Sequence, residues 1–468
     1  MITEPPLAPP VSPTLSGRPL FRPPAPVPLR RPPDLFAFLK GARTNPLTTW
    51  TAEHFEAPIL AGEGVLGRVT VISDPAAIRH VLVDRAANYR KDDLQRRVLA
   101  PGLGNGLLTA EGDEWRRQRR AMASLFTPRT VTGFARPMAD AADRIVRRLR
   151  RRGDGRRVDA ALEMTRVTLD VLERTIFTEG LKRDPDALSQ AITRYFEAIG
   201  PIDPLDVFGM PDWLPRIGRL RARPALRFFE EVVGELFDAR KALLARGGEA
   251  PRDLLTLLLQ ASDPETGDRL SDLEVKANVV TFIGAGHETT ANALSWSLYL
   301  LSQAPDIRER LEREVDEAAD LTDMSALPLT RAVIDEAMRL YPPVPFLSRA
   351  AIEDDRVADY RIPKGSLVMI APYVLHRHRR LWSEPDHFDP DRFLPENRGA
   401  IDRFAYLPFG AGPRVCIGAA FSLQEAVIVL ATLARATRLD LEPGHVVTPV
   451  HRVTLRPGGG LPMRVRLR

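Results

Sequence analysis

Apolar positions recur every three or four residues from about residue 114 to about 350, the spacing of amphipathic helices, with breaks expected at Pro128, Pro201, Pro204, Pro251 and Pro305. The longest of these helices is expected over residues 271–303. Ser271-Asp-Leu-Glu274 fits a capping box at its start, Pro305 stops it, and 33 residues would span about 50 Å. Before this region, residues 67–73 alternate in strand fashion and meet Asp74-Pro75, which opens a helix running toward Val83. After Pro342-Pro343 the pattern changes to short strands and turns, as in residues 360–370, and then to a Pro-rich irregular stretch from about 382 to 415. An apolar helix from 419 to about 434 follows, and strand-like residues close the chain. Residues 1 to about 33 hold twelve prolines, so this arm should be extended, a tail that wraps or dangles.

Composition narrows the class. The chain has 468 residues, 44% of them hydrophobic and 27% charged, as in a globular protein large enough to enclose a cofactor. No internal repeat and no Gly/Ser-rich linker divides it, so a single domain over 45–468 behind an arm of 1–44 is expected. A net charge of +5 invites a nucleic-acid reading, but the six Lys and the many Arg read as scattered, and no nucleic-acid partner is expected. The N-terminus lacks a secretory pattern and no eighteen-residue apolar run stands out, so a cytoplasmic protein without a membrane span is expected. One cysteine excludes an intrachain disulfide and any zinc site built from several thiolates.

That cysteine lies in Phe409-Gly-Ala-Gly-Pro-Arg-Val-Cys-Ile-Gly418, where glycines permit a tight turn just before an apolar helix. Alone, Cys416 would be a small buried hydrophobe. On such a turn, exposed amides would instead lower the thiol pKa and hold a thiolate. A second unusual segment, Gly284-Ala-Gly-His-Glu-Thr-Thr290, sits mid-helix, where two glycines, a carboxylate and two hydroxyls are costly. Small residues there would let a flat cofactor and O2 approach the backbone, and a Thr hydroxyl bonding back along the helix could open a kink. His287 has no second His at helical spacing and reads as a bystander.

The pattern Phe-x-x-Gly-x-Arg-x-Cys-x-Gly resembles the haem-binding loop of the cytochrome P-450 family, with Phe409, Gly412, Arg414, Cys416 and Gly418 at its fixed positions. The mid-helix segment resembles that family's oxygen-binding groove. Glu336-Ala-Met-Arg339 with Arg392 resembles its buried Glu-Arg-Arg network. The resemblance covers about residues 45–468; His378 departs from it, since an Asp often follows His-Arg. It implies a mainly α fold with a smaller β-rich part, and haem b between the long central helix and the Cys-loop helix. It implies Cys416 as iron ligand, Thr289 steadying dioxygen and Glu288 relaying protons. Cofactor contacts would come from Trp115, Arg119, Ala285, Thr289, Arg349, Phe409, Arg414, Cys416 and Gly418, the cationic ones toward the propionates. One oxygen atom from O2 would be inserted into an apolar substrate such as a fatty acid or terpenoid. The pocket would be lined by 92–108, 196–222, Phe282, Ile283, Ala285, 344–347 and 458–461. Electrons would come from a separate ferredoxin or flavodoxin with its reductase, through a basic face of Arg116, Arg117, Arg120, Arg377, Arg379 and Arg380. A peroxygenase, a haem-based sensor and a non-haem helical scaffold stay open as rivals; Glu288 and Thr289 argue against the first two.

Overall fold

A computed structural model describes residues 20–64, 67–178, 210, 214 and 216–468. The expected central helix is Asp272–Gln303. Its Ser271 hydroxyl accepts from the Glu274 N–H while the Glu274 carboxylate accepts from the Ser271 N–H, so both ends of the capping box are made. It packs most extensively on Ala160–Phe177, and also against Ile217–Ala245, Pro328–Leu340 and Ala419–Ala436. The second half of the central helix is buried almost all round, which is why its sequence loses amphipathic contrast there. Trp296 stacks on Tyr341 at 3.8 Å and donates to the Leu455 carbonyl at 3.1 Å, locking the helix to its neighbours.

Pro128 and Pro305 each open a helix, as expected of a residue with no N–H to contribute. Pro201 and Pro204 lie outside the described residues. Pro224 sits within Ile217–Ala245, where no break was expected, and the strand Arg157–Asp159 interrupts what read as continuous helix.

Among the described residues, twelve strands form four small sheets. In chain order they are β1 (Ile59–Gly64), β2 (Gly67–Ile72), β3 (Tyr89–Arg90), β4 (Arg157–Asp159), β5 (Leu347–Ala351) and β6 (Asp355–Val357). Then follow β7 (Tyr360–Ile362), β8 (Leu367–Ile370), β9 (Thr437–Leu441), β10 (Pro449–His451), β11 (Leu455–Pro457) and β12 (Pro462–Leu467). The largest sheet has the order β1-β2-β8-β5-β3, with β2 and β8 parallel and the other pairs antiparallel. After β2, Asp74 caps Pro75–Arg79, and the helix widens into a π-type turn at His80–Asp84.

The Pro-rich arm lies extended on the body from residue 20 onward. The Phe21 carbonyl accepts from the Phe388 N–H at 2.9 Å, and the Pro24 carbonyl from the Tyr341 hydroxyl at 2.8 Å. Among the described residues, Ala419–Ala436 is long and apolar enough to cross a membrane. In this fold it is enclosed by helices, and residues 427–431 are 0% exposed.

One buried carboxyl outside the site makes a prediction. Glu173 on Ala160–Phe177 is buried, its Oε1 has no hydrogen-bond partner, and burial, then the charge of Asp170, push its pKa up to about 7 against the pull of Arg144. Unfolded, it titrates near 4.3. Between these values the unfolded chain releases a proton that the folded chain keeps, so stability falls as pH rises through this window and levels off above it. Glu173→Gln should remove that slope, gaining on the order of 2 kcal/mol at pH 8 relative to pH 5. Identical pH profiles of chemical denaturation in the two proteins would show the assignment to be wrong.

Candidate active site

The Cys416 loop is shaped by two glycines in the left-handed region. Gly410 and Gly412 each have φ of +71°, and a Cβ on Gly412 would lie 1.8 Å from the Leu82 carbonyl oxygen. The π-type turn of His80–Asp84 therefore supports the loop from below, and only glycine fits. The Cys416 N–H donates to the Phe409 carbonyl at 2.9 Å and the Val415 N–H to that of Gly412 at 3.0 Å, closing the turn. Cys416 has accessible surface, yet burial is the largest influence on its thiol. Both hold if that surface faces an internal space rather than bulk water.

The expected drop in the Cys416 pKa is not found. Burial raises it, and the Gly418 N–H and the charge of Arg119 oppose that only in part. The loop supplies the donors that were foreseen, but desolvation outweighs them.

Ala285 is exposed although it lies mid-way along the central helix. Thr290 Oγ1 and Ser422 Oγ are 2.9 Å apart and tie the central helix to Ala419–Ala436. Ala285 and Cys416 both precede this crossing, by five and six residues. Thr289 Oγ1 donates back to the Ala285 carbonyl at 2.7 Å, the backbone contact foreseen for it. Glu288 turns toward the β10–β11 hairpin. Its Oε1 accepts from Thr454 Oγ1 at 2.7 Å and lies 3.9 Å from Arg456. His287 is buried with Nδ1 3.1 Å from the Ile283 carbonyl, and burial lowers its pKa to about 4, so it is a neutral packing group.

Trp115, Arg349 and Arg414 come together with a residue that the sequence did not single out, Lys91, whereas Arg119 lies within electrostatic reach of Cys416. Arg414 lies over the Trp115 ring at 3.9 Å, pairs with Glu111 at 2.7 Å and donates to the Ala110 carbonyl at 2.9 Å. Burial brings its pKa down to about 10 against Glu111. Burial, then the charges of Arg414 and Arg349, bring Lys91 down to about 7. Arg349 is likewise lowered by burial, against Glu111 and Asp92. Cations that depress one another inside a protein form a place where an anion is stabilised. Lys91 follows a two-residue strand, too short for any periodicity, and only its rarity as one of six Lys marked it.

The scaffold beneath is a fully buried triad. Glu336 accepts from Arg339 through both oxygens, at 2.6 and 2.8 Å, and Arg392 Nε lies 3.8 Å from it. Arg339 also donates to the carbonyls of His376, Pro385 and His387, pinning the irregular stretch before the Cys loop. His378, the departure noted above, is satisfied locally: its Nε2 lies 3.2 Å from the Ala57 carbonyl and its Nδ1 accepts from the Arg380 N–H.

The basic face expected for an electron donor does not survive intact. Arg377 is 2% exposed and lies over the rings of Tyr373 and Tyr341. Arg120 is held bidentately by Asp263, Arg117 by Glu274, Arg116 by Asp113, and Arg379 by Asp386. Of the expected pocket lining, most of 196–222 lies outside the described residues. Ile283 is 2% exposed and belongs to the core, and Phe282 packs edge-on against Phe126 at 5.1 Å.

These residues fit a flat, dianionic cofactor. Gly418 has an ordinary φ of −86°, and no atom lies within 4 Å of where its Cβ would stand. Neither backbone strain nor packing within the chain demands glycine there, whereas a ring lying against the loop would. The thiol offers a soft ligand, the exposed Ala285 a small residue that leaves room beside the central helix, and the Lys91 cluster charge for two carboxylates.

Comparison with known proteins agrees. The sequence model of the cytochrome P-450 family matches residues 64–461. The chain is 34% identical over 397 residues to cyclooctatin synthase of Streptomyces melanosporofaciens, covering 82% of this chain and 83% of that protein. It is 34% identical over 372 residues to pentalenene oxygenase of Streptomyces avermitilis, covering 78% and 80%. The crystal structure of the cytochrome P-450DA heme domain superposes with a TM-score of 0.82 at 27% identity, covering 96% of this chain and 99% of that one. With the loop, the central helix and the buried triad in these positions, the chain belongs to the cytochrome P-450 family, whose members are haem-dependent monooxygenases.

Proposed function

We propose that this monooxygenase oxidises a terpenoid-type lipid, with Cys416 as the thiolate ligand of haem b. The observation that carries the assignment of the ligand is an accessible thiol enclosed by protein, on the loop leading into the helix that Thr290 and Ser422 tie to the central helix. The substrate class is supported by the relatives named for cyclooctatin and pentalenene, and by the aromatic and aliphatic side chains of Phe282, Phe346 and Val344.

When bound, haem supplies an iron centre at which a thiolate's electron density favours O–O cleavage. The chain's own residues do the rest. The Gly418 N–H and Arg119 stabilise negative charge on Cys416. Lys91, Arg119, Arg349 and Arg414 hold the cofactor's carboxylates. Phe409 closes the loop through its carbonyl, and Trp115 keeps the Arg414 fork in plane. Thr289, its hydroxyl proton given to the Ala285 carbonyl, offers oxygen lone pairs toward the groove. Glu288, held by Thr454, is the proton carrier, and it must release the hairpin to reach Thr289. Electrons come from a separate ferredoxin or flavodoxin with its reductase, and the protein works in the cytoplasm.

The reduced holoenzyme should show, with carbon monoxide, the red-shifted band of thiolate-ligated haem, and Cys416→Ser should lose it while still binding haem. A Cys416→Ser spectrum identical to that of the parent would remove Cys416 from the iron.

A further inference from the structure

The molecule's basic charge is not evenly spread, contrary to the expectation of scattered Arg, and the sequence itself holds the run. Residues 144–157 carry eight arginines against one acid, Asp154. Three of the eight, Arg150, Arg151 and Arg152, form the last turn of the helix Ala135–Arg152. Gly153, at φ +97°, turns the chain there, and Arg156 and Arg157 return beside it at the start of β4. Cations suit a helix C-terminus, but one or two are enough for that.

Internal partners account for only part of this cluster. Arg144 is bound to Asp170 at 3.1 and 3.0 Å. Arg148, Arg152 and Arg166 converge on the nearly buried Glu163 at 3.2, 3.7 and 3.0 Å. The side chains of Arg147, Arg150, Arg151, Arg156 and Arg157 are exposed and make no hydrogen bond or ion pair with any described residue. Arg157 is felt only at a distance, by Glu442.

A cleft of about 370 Å³ opens at this point, lined by Arg152, Arg157, Arg166, Glu163, Asp159 and His445. Asp159 is engaged by the N–H groups of Ala161 and Leu461, at 3.0 Å each, and so faces structure rather than ligand. His445 Nε2 is buried and has no hydrogen-bond partner. Arg148 and Arg152 both lean on the Glu163 carboxylate, and Arg157 makes no ion pair with any described residue, so its positive charge is not offset by any of them. All the cations are arginine, whose planar fork matches phosphate oxygens bidentately.

We propose that this cleft, at the C-terminal end of the helix Ala135–Arg152, binds a small phosphate-bearing anion, a phosphate monoester or a diphosphate. Arg152 and Arg157 grip it from two sides, and the imidazole of His445 donates from the third.

The probe is inorganic pyrophosphate, titrated calorimetrically into the holoenzyme. Saturable one-to-one binding is expected. Arg152→Gln and Arg157→Gln should each weaken it about tenfold or more, the loss of one charge-assisted contact, while Arg129→Gln, elsewhere on the surface, leaves it unchanged. Arg157 touches no internal partner, so its variant separates lost binding from lost folding. Three outcomes overturn the proposal: no saturable binding, equal binding by all variants, or binding to phosphatidic-acid vesicles without binding of pyrophosphate.

Discussion

Gly412→Ala should leave a protein that incorporates no haem and is destabilised by roughly 3–5 kcal/mol, among the largest effects open to a single methyl group. The added Cβ would stand 1.8 Å from the Leu82 carbonyl oxygen and 2.8 Å from its carbon, on a backbone at φ +71°. Neither group is the flexible end of a side chain. Relief requires the 412–414 turn to lift away from the His80–Asp84 segment, which carries Cys416 with it. Gly418→Ala is the informative partner. Its Cβ meets no protein atom and its φ is ordinary, so thermal unfolding of the haem-free chain should be unchanged within about 0.5 kcal/mol. Haem uptake, followed by absorbance, should nevertheless weaken. Equal stability losses in the two variants would mean that both glycines serve the protein's own packing, and the argument for a ring against Gly418 would fail.

The contrast between those two glycines also marks what the sequence could tell. A motif names Gly412 and Gly418 alike, because each is a fixed position; only coordinates separate a glycine needed by Leu82 from one left open. The central helix was legible almost to the residue, since its capping box and its terminating proline are local signals with strong physical causes. Lys91 was not, because what gathers it with Arg349 and Arg414 is the pairing of β3 with β5, residues 89–90 against 350–351, a contact of long sequence separation. The basic face came out thinner than expected for a related reason. Charge along the chain gives no sign of partners, and Asp263 and Glu274, which neutralise Arg120 and Arg117, lie some 140 to 160 positions away. The thiol's pKa was misjudged because a turn's donors can be read from glycines, whereas the depth of burial that opposes them cannot.

Arg339→Lys should be nearly as damaging as Arg339→Ala, with soluble haem-bearing protein lost or its stability cut by about 3–5 kcal/mol. Arg339 is 0% exposed and makes five hydrogen bonds, two to Glu336 and one each to the carbonyls of His376, Pro385 and His387. A lysine keeps the charge but brings three donors on one nitrogen, so at least two of these acceptors would be left buried and unmatched. Those carbonyls belong to the irregular stretch that has almost no secondary structure of its own, and Glu336 also accepts from the Asp389 N–H at 2.8 Å. The triad thus replaces the regular hydrogen bonding that a helix or sheet would have supplied to the chain leading toward Cys416. Near-normal haem content and unfolding temperature in Arg339→Lys would show that charge alone holds this region, and that the five-bond geometry is incidental.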